Sequence, residues 1–168
     1  IRHMALHDVL TGLANRRYFE DMIERALSNA EREGDRFGLV IIDLDGFKPV
    51  NDRYGHAVGD AVLKVVADRL HGMMRAGDFC ARIGGDEFAV IVGGVGTAGD
   101  LMLVADKIRA ALAAPVAVDG RAAIEVGASV GHALCPDDGE TADGLVVVAD
   151  GRMYQAKQRG RSQASLAD

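Results

Sequence analysis

Tryptophan is absent from this sequence, and aromatic residues make up only 5% of its 168 residues. Cysteine is also scarce: Cys80 and Cys135 are the only two, which excludes a disulfide framework and favours a reducing compartment. Hydrophobic residues still reach 49%. The sequence therefore predicts one globular domain whose core consists mainly of alanine, valine and leucine.

An excess of basic residues is missing as well. Nineteen Lys and Arg face twenty-five Asp and Glu, for a formal net charge of −6. This balance argues against a nucleic-acid partner and against contact with a membrane surface, but it allows an anionic small ligand.

No apolar run has the length of a transmembrane helix, and no signal peptide is recognisable. We therefore expect a cytoplasmic domain, although the full-length protein could be anchored through other segments. The opening "IRHMALHD" does not resemble a natural start. We expect the chain to be part of a longer protein.

Hydrophobic periodicity predicts a mixture of helices and strands. The predicted helices span 16–33, 61–74, 100–114 and 145–160, with Asp100 as a cap, Gly160 as a stop and a further short helix within 48–60. The predicted strands span 37–42, the two arms of a hairpin within 79–92, and two strands around "DG" within 115–134. The fold class is α+β (mixed α/β), with a sheet that is not purely parallel.

Acidic residues stand at two notable places. Asp43 ends the most hydrophobic strand, with Asp45 two residues later, and Asp86 and Glu87 occupy the tip of the hairpin. If the tip lies beside the strand end, three acids converge, and two carboxylates ~4 Å apart repel by about 4 kcal/mol at an intermediate dielectric. A divalent cation turns that repulsion into binding, and oxygen ligands favour magnesium or manganese. The alternative is a solvated surface turn.

Glycines and cations near these acids suit a phosphate ligand. Gly84 and Gly85 allow a phosphate to approach the backbone closely. The basic residues that flank the same segments are Lys48, Arg82, Lys157 and Arg161. Taken singly, each of these cations is equally well explained as solvated surface.

Five segments together resemble the motifs of the GGDEF domains, the diguanylate cyclases. They are "DVLTGLANRR" (8–17), "DLDGFKPVNDRYGHAVGD" (43–60), "GGDEF" (84–88), "ASVGHA" (128–133) and "ADGRMYQAKQRGR" (149–161). Their order and spacing also agree with the family. The departures are Gly46, where the family usually has a larger residue, the less apolar strand "VGHAL", and Gly151 within the last helix.

The resemblance implies a fold and an activity. The fold is a mostly antiparallel sheet flanked by helices, similar to the polymerase palm and the class III nucleotide cyclases. The activity is the condensation of two GTP molecules into cyclic di-GMP with release of two pyrophosphates, using Mg²⁺ or Mn²⁺, two ions per active site. Because one domain holds one GTP, a homodimer and a missing upstream sensor or regulatory domain are also implied.

The resemblance also assigns residues to roles. Metal ligands are Asp43, the carbonyl of Leu44, and Asp86, while Glu87 assists the metal or the proton transfer. The residues implied to bind the substrate are Gly46, Phe47, Lys48, Asn51, His56, Asp60, Gly85, Lys157 and Arg161. The carboxylate of Asp60 can accept from guanine N1–H and the 2-amino group. The alternative is that it caps a helix beginning at residue 61.

A second site is implied upstream of the hairpin. Arg75 and Asp78 match the family's product-inhibition motif, in which Arg75 would donate to the O6 and N7 edge of a guanine and Asp78 would accept from guanine N–H groups. Lys107 and Arg109 are the nearest further cations on the 100–114 helix. The alternative is a surface Arg–Asp pair worth under about 1 kcal/mol.

Other functions remain open from the sequence alone. One is a GGDEF domain that binds GTP or cyclic di-GMP without turnover, and another is a nucleotidyl-transfer enzyme such as a mononucleotide cyclase. The predicted organisation is a linker-helix stub over 1–7, a catalytic domain over 8–162 and a tail over 163–168.

Overall fold

A central strand of nine residues organises the fold. The computed structural model describes the backbone of residues 5–167 and the side chains of residues 5–160. In these residues the strands are β1 (Phe37–Asp45), β2 (Phe79–Arg82), β3 (Glu87–Val92) and β4 (Gly127–Cys135). The helices are α1 (Arg16–Glu33), α2 (Phe47–Tyr54), α3 (His56–Met73), α4 (Ala98–Ala113) and α5 (Ala142–Ala167). The sheet has the order β2-β3-β1-β4, and each neighbouring pair is antiparallel.

The two faces of the sheet bury separate cores because successive side chains of a strand point to opposite sides. Val40 and Ile42 pack with residues of α2, α3 and α4, whereas Leu39 and Ile41 pack with residues of α1 and α5. Each fully buried Val, Leu or Ile stabilises the fold by roughly 1.5–3 kcal/mol. The prediction of an antiparallel sheet flanked by helices is confirmed.

Helix α5 lies unusually close to the sheet at one glycine. A Cβ atom added to Gly131 in β4 would lie 2.0 Å from the Ala149 carbonyl oxygen and 2.2 Å from the Met153 nitrogen. Only glycine accommodates this approach without moving the helix. Gly131 therefore fixes the height of α5 above β4, and with it the position of the α5 residues that follow Met153.

Boundaries of α3, α4 and α5 differ from the sequence prediction, and α5 also begins at Ala142 rather than residue 145. Helix α3 begins at His56 rather than residue 61, because Gly55, at φ +91°, lets the chain turn directly from α2 into α3. Helix α4 is capped by the Thr97 hydroxyl, which accepts from the Asp100 nitrogen at 3.1 Å, so Asp100 is not the cap. Helix α5 continues through Gly160, because glycine weakens a helix without ending it.

The residues near the two ends of the chain and the 115–126 segment also differ from the sequence prediction. Residues 163–167, predicted as a tail, are part of α5. Residues 5–7 are not helical: His7 forms an isolated bridge with Ala14, and residues 1–4 of the predicted stub lie outside the described residues. Of the two strands predicted within 115–134, only β4 forms in full, and the other is reduced to the bridge between Val116 and Ile124.

Among residues 5–167, no helix is both long and apolar enough to cross a membrane.

Candidate active site

The end of β1 and the tip of the β2–β3 hairpin meet directly. The Leu44 nitrogen donates to the Asp86 carbonyl oxygen at 3.1 Å, and Asp43 lies opposite Glu87 in the β1–β3 register. Burial raises the pKa of Asp86, and the charge of Asp43 together with a hydrogen bond between the two carboxyl groups raises it further. Asp43 and Asp86 therefore form a pair that is costly to keep fully ionised without a cation.

The donor atoms at this place suit a hard divalent cation. Because the N–H and C=O groups of a residue in an antiparallel strand point to the same side, the carbonyl of Leu44 faces the hairpin with its nitrogen. Two carboxylates and a carbonyl are oxygen ligands of the kind that Mg²⁺ and Mn²⁺ prefer. Within the described residues no group of three or more His, Cys, Asp or Glu side chains is gathered as for a metal. Asp43, Asp86 and Glu87 nevertheless lie close enough for their charges to raise the pKa of Glu87, and Asp43 lies opposite Glu87 in the β1–β3 register.

A lysine from α5 completes this cluster. The Lys157 ammonium lies 2.5 Å from Asp43 Oδ2 and 3.6 Å from Asp45 Oδ1. Ser129, which is buried, donates to the same Asp45 Oδ1 at 2.8 Å. Burial lowers the pKa of Lys157, but the hydrogen bond and charge of Asp43 outweigh it, so the net shift is upward. The lysine stands one helical turn beyond Met153, where Gly131 has brought α5 close to the sheet.

Glu87 is the cross-strand neighbour of Asp43. Burial raises the pKa of Glu87, and the charges of Asp150 and Asp43 add to the rise, while Arg16 opposes it. A carboxylate with a raised pKa holds a proton more readily at neutral pH. Glu87 is therefore placed beside the pair as a group able to accept or donate a proton.

The hairpin tip is braced from the N-terminal turn, which sequence reasoning missed. Arg82 donates to both carboxylate oxygens of Asp8 at 3.1 and 3.2 Å and to the Gly85 carbonyl oxygen at 2.8 Å. Arg16 donates to the Ile83 carbonyl oxygen at 3.0 Å. Burial raises the pKa of Asp8, but hydrogen bonds from Thr11 and Arg82 outweigh it and the net shift is downward. Arg82 is thus a structural brace rather than a free phosphate-binding cation.

The turn between β1 and α2 supplies the next candidates. Gly46 has φ +74° and stands at the N-cap of α2, with the exposed Lys48 in the first turn. The side chain of Phe47 is buried in the core, so only its backbone faces the site. A Cβ atom on Gly85 would meet nothing within 4 Å, which leaves room beside the tip. The side chain of Arg161 lies outside the described residues.

The candidates for base recognition line the contact between α2 and α3. Asn51 Oδ1 is buried and has no partner among the described residues. A Cβ atom on Gly59 would lie 1.8 Å from that oxygen, so the Asn51 side chain occupies the space that a side chain at position 59 would need. Asp60 is exposed in the second turn of α3 and His56 is its first residue. The alternative that Asp60 caps a helix is wrong, since α3 begins four residues earlier.

The candidate product site is built differently from the sequence expectation. Asp78 is nearly buried, with its side chain 5% exposed, and its oxygens accept from Arg75 and from the Gly93 nitrogen. The side chain of Arg75 is 58% exposed and donates to the Gly93 carbonyl oxygen at 2.8 Å. Arg75 and Lys107 line a depression of about 150 Å³, whereas Arg109 lies beside Asp106 at 3.6 Å. Asp78 therefore orients Arg75, and Lys107 is better placed than Arg109.

A larger cavity, of about 660 Å³, lies at the opposite end of the sheet. Its walls come from the end of α1 and from the β4–α5 connection, including Gly34 and Cys135. None of the residues predicted for the active site lines it, so its size does not identify the place of the chemistry.

Comparison with known proteins agrees with this arrangement. Residues 5–163 match the family model described as diguanylate cyclase, GGDEF domain. The diguanylate cyclase TpbB of Pseudomonas aeruginosa is 39% identical over 168 residues, which is 100% of this chain and 39% of that protein. The chain thus spans less than half of the length of this curated relative.

Solved structures show the same fold. A sensory box/GGDEF family protein from Caulobacter crescentus has a TM-score of 0.87 and 41% identity, covering 92% of this chain and 99% of that chain. The GGDEF domain of DgcB from the same species, solved in complex with c-di-GMP, has a TM-score of 0.85 and 31% identity, covering 95% of this chain and 92% of that chain.

Proposed function

The chain belongs to the diguanylate cyclase GGDEF domain family, and on this basis we propose that it condenses two GTP molecules into cyclic di-GMP with release of two pyrophosphates. One observation supports the proposal above the others. Asp43 and Asp86 lie together at the junction of a strand end and a hairpin tip, where the Leu44 nitrogen donates to the Asp86 carbonyl oxygen at 3.1 Å and the charge of Asp43 raises the pKa of Asp86. This is a donor set for a divalent cation beside a nucleotide.

Asp43, Asp86 and the Leu44 carbonyl would hold Mg²⁺ or Mn²⁺, two ions in each active site. A metal bound here would lower the negative charge of the phosphates and make the 3′-hydroxyl a better nucleophile. Glu87, whose pKa is raised by burial and by neighbouring acids, holds the proton that the 3′-hydroxyl loses as it attacks the α-phosphate of the other GTP. Pyrophosphate is then the leaving group.

The triphosphate is bound where α2 begins. The backbone N–H groups from Gly46 to Lys48 lie at a helix N-terminus, which favours negative charge. Lys48, Lys157 and Arg161 add cationic groups. Gly85 leaves space at the hairpin tip, where a side chain would otherwise stand between the protein and the nucleotide.

Guanine is recognised between α2 and α3. The side-chain oxygen of Asn51 is buried at this contact, and no donor among the described residues forms a hydrogen bond with it. The guanine amino group supplies such a donor, and the Asp60 carboxylate accepts from N1–H and the same amino group. His56, the exposed first residue of α3, lies one helical turn before Asp60 and would contribute to the same contact. Adenine offers an acceptor at N1, which would leave Asp60 without a partner.

Two domains are needed for one product, since each holds a single GTP. We therefore propose a homodimer in which the two sites face each other, under the control of segments outside this chain. Cyclic di-GMP would bind at the depression lined by Arg75 and Lys107 and inhibit turnover. Asp78 contributes by orienting Arg75.

Incubation with GTP and Mg²⁺, followed by mass spectrometry, tests the proposed reaction. The expected product is cyclic di-GMP, formed with two pyrophosphates. A product of half that mass would identify a mononucleotide cyclase. Binding of GTP without any product over a wide range of protein concentration would identify a binding module.

A further inference from the structure

Lys157 holds the same oxygen that the proposed metal needs. Its ammonium lies 2.5 Å from Asp43 Oδ2, and its side chain is only 19% exposed. Asp43 is 20% exposed, so this is a sheltered ion pair and not a solvated surface contact. A lysine ammonium and a divalent cation are both drawn to a carboxylate oxygen, but they cannot occupy the same side of it at hydrogen-bond distance.

A second carboxylate keeps the lysine in this place. Asp45 Oδ1 lies 3.6 Å from the ammonium and also accepts from the Ser129 hydroxyl at 2.8 Å. Ser129 is 4% exposed, which fixes the direction of the Asp45 side chain. The lysine therefore bridges two acids of one strand, and neither acid is free to turn away without losing a contact.

The position of the helix that carries Lys157 is fixed as well. The close approach of α5 to Gly131 leaves no room for the helix to settle toward the sheet. Met153, which contacts Gly131, precedes Lys157 by one turn, so the reach of the lysine is set by this packing. The ion pair is thus a built-in feature of the β1–β4–α5 junction.

We propose that Lys157 opposes capture of a divalent cation by Asp43 until a nucleotide draws its ammonium to the phosphates. This inference rests on the proposed function, because it assumes a metal and a triphosphate at the same junction. The proposal also predicts that metal and nucleotide bind with positive coupling. By linkage, each then raises the affinity of the other by the same factor. Lys157 is accordingly a positioning residue as well as a phosphate-binding one.

Titration of the protein with Mn²⁺ alone, followed by electron paramagnetic resonance of the free ion, tests this idea without any turnover. Lys157→Met should bind Mn²⁺ about tenfold more tightly than the unmodified protein, since a competing cation in a sheltered pair has been removed. The same variant should bind the unreactive analogue α,β-methylene GTP more weakly at saturating metal. Lys157→Arg keeps a competing cation and should retain weak binding of Mn²⁺.

Lys64→Met is the matched control, because Lys64 is an exposed lysine on α3 and its loss changes the net charge by the same amount. It should leave both affinities unchanged. Equal or weaker binding of Mn²⁺ by Lys157→Met would overturn the proposal, as would an equal gain in the Lys64→Met control. Failure of the proposed function is read separately, from the absence of cyclic di-GMP when the unmodified protein is supplied with GTP.

Discussion

At the scale of single residues, Asp60 offers a clean test of base recognition. It is exposed in α3 and is not needed to begin the helix. Asp60→Asn should therefore change the unfolding free energy by less than about 0.5 kcal/mol. It should raise the KM for GTP roughly tenfold or more, because a misplaced amide donor opposes guanine N1–H. Steady-state kinetics and thermal unfolding measure the two effects.

Asp68→Asn, another exposed acid of α3, is the control for the loss of charge. It should alter neither KM nor stability. An unchanged KM for GTP in Asp60→Asn, or equal use of ATP and GTP by the unmodified protein, would rule out the proposed guanine contact.

The residues of the site differ in how far sequence reveals them. The sequence predicts that Asp43 and Asp86 meet if the hairpin tip lies beside the strand end, and the β1–β3 pairing confirms that position, whereas their role as metal ligands is implied only by the family resemblance. The bracing role of Arg82 could not, since Asp8 lies 74 positions away in the chain. The burial of Asp78 could not be predicted for a similar reason, because its partner Gly93 lies 15 positions later in the chain, after β3.

At the scale of elements, two glycine-to-alanine changes separate close packing from helix propensity. Gly131→Ala places a Cβ atom 2.0 Å from the Ala149 carbonyl oxygen, so α5 must move away from β4. We expect a loss of stability of roughly 1–3 kcal/mol, the usual cost of overpacking. GTP affinity should fall too, because Lys157 moves with the helix. Thermal unfolding and GTP binding check this.

Gly151→Ala is the matched change on α5 itself. A Cβ atom there meets nothing within 4 Å, so alanine should stabilise the helix by up to about 1 kcal/mol. GTP binding should stay unchanged. If both alanine variants unfold at the same temperature, the close contact at Gly131 does not set the height of α5.

Regular periodicity and turn chemistry account for the elements that were predicted well. Helix α1 spans 16–33 as predicted, with Asn15 and Gly34 capping its two ends. The continuous apolar run at 37–42 lies in β1 and is buried on both faces. The start of α3 was missed because a glycine turn joins two helices without a gap. The strand predicted before β4 does not form, because the "DG" turn closes only the single bridge between Val116 and Ile124.

At the scale of the whole molecule, the proposed control by product depends on a depression near Asp78, at the end of the β2–β3 hairpin opposite the tip that carries Asp86. Arg75→Ala should retain GTP turnover and lose inhibition by added cyclic di-GMP, because the change removes the exposed guanidinium proposed to donate to guanine. Lys107→Ala should weaken inhibition, whereas Arg109→Ala should not, since Arg109 does not line the depression. Product titration of each variant measures the effect. Inhibition of Arg75→Ala at the same concentration as the unmodified protein would reduce residues 75–78 to a structural turn.

If Asp43 and Asp86 form a metal-dependent centre for condensation of GTP, as proposed, Asp86→Asn should abolish the reaction and leave the fold intact. The folded protein raises the pKa of Asp86, so the ionised carboxylate lowers stability as pH rises through that pKa, and asparagine removes this cost. We therefore predict an unfolding temperature at pH 8 that is no lower than that of the unmodified protein. We also predict a loss of cyclic di-GMP formation of at least roughly a hundredfold, the effect of losing several kcal/mol of charge stabilisation. Near-normal product formation by a folded Asp86→Asn variant in Mg²⁺ would show that Asp86 does not hold a catalytic metal.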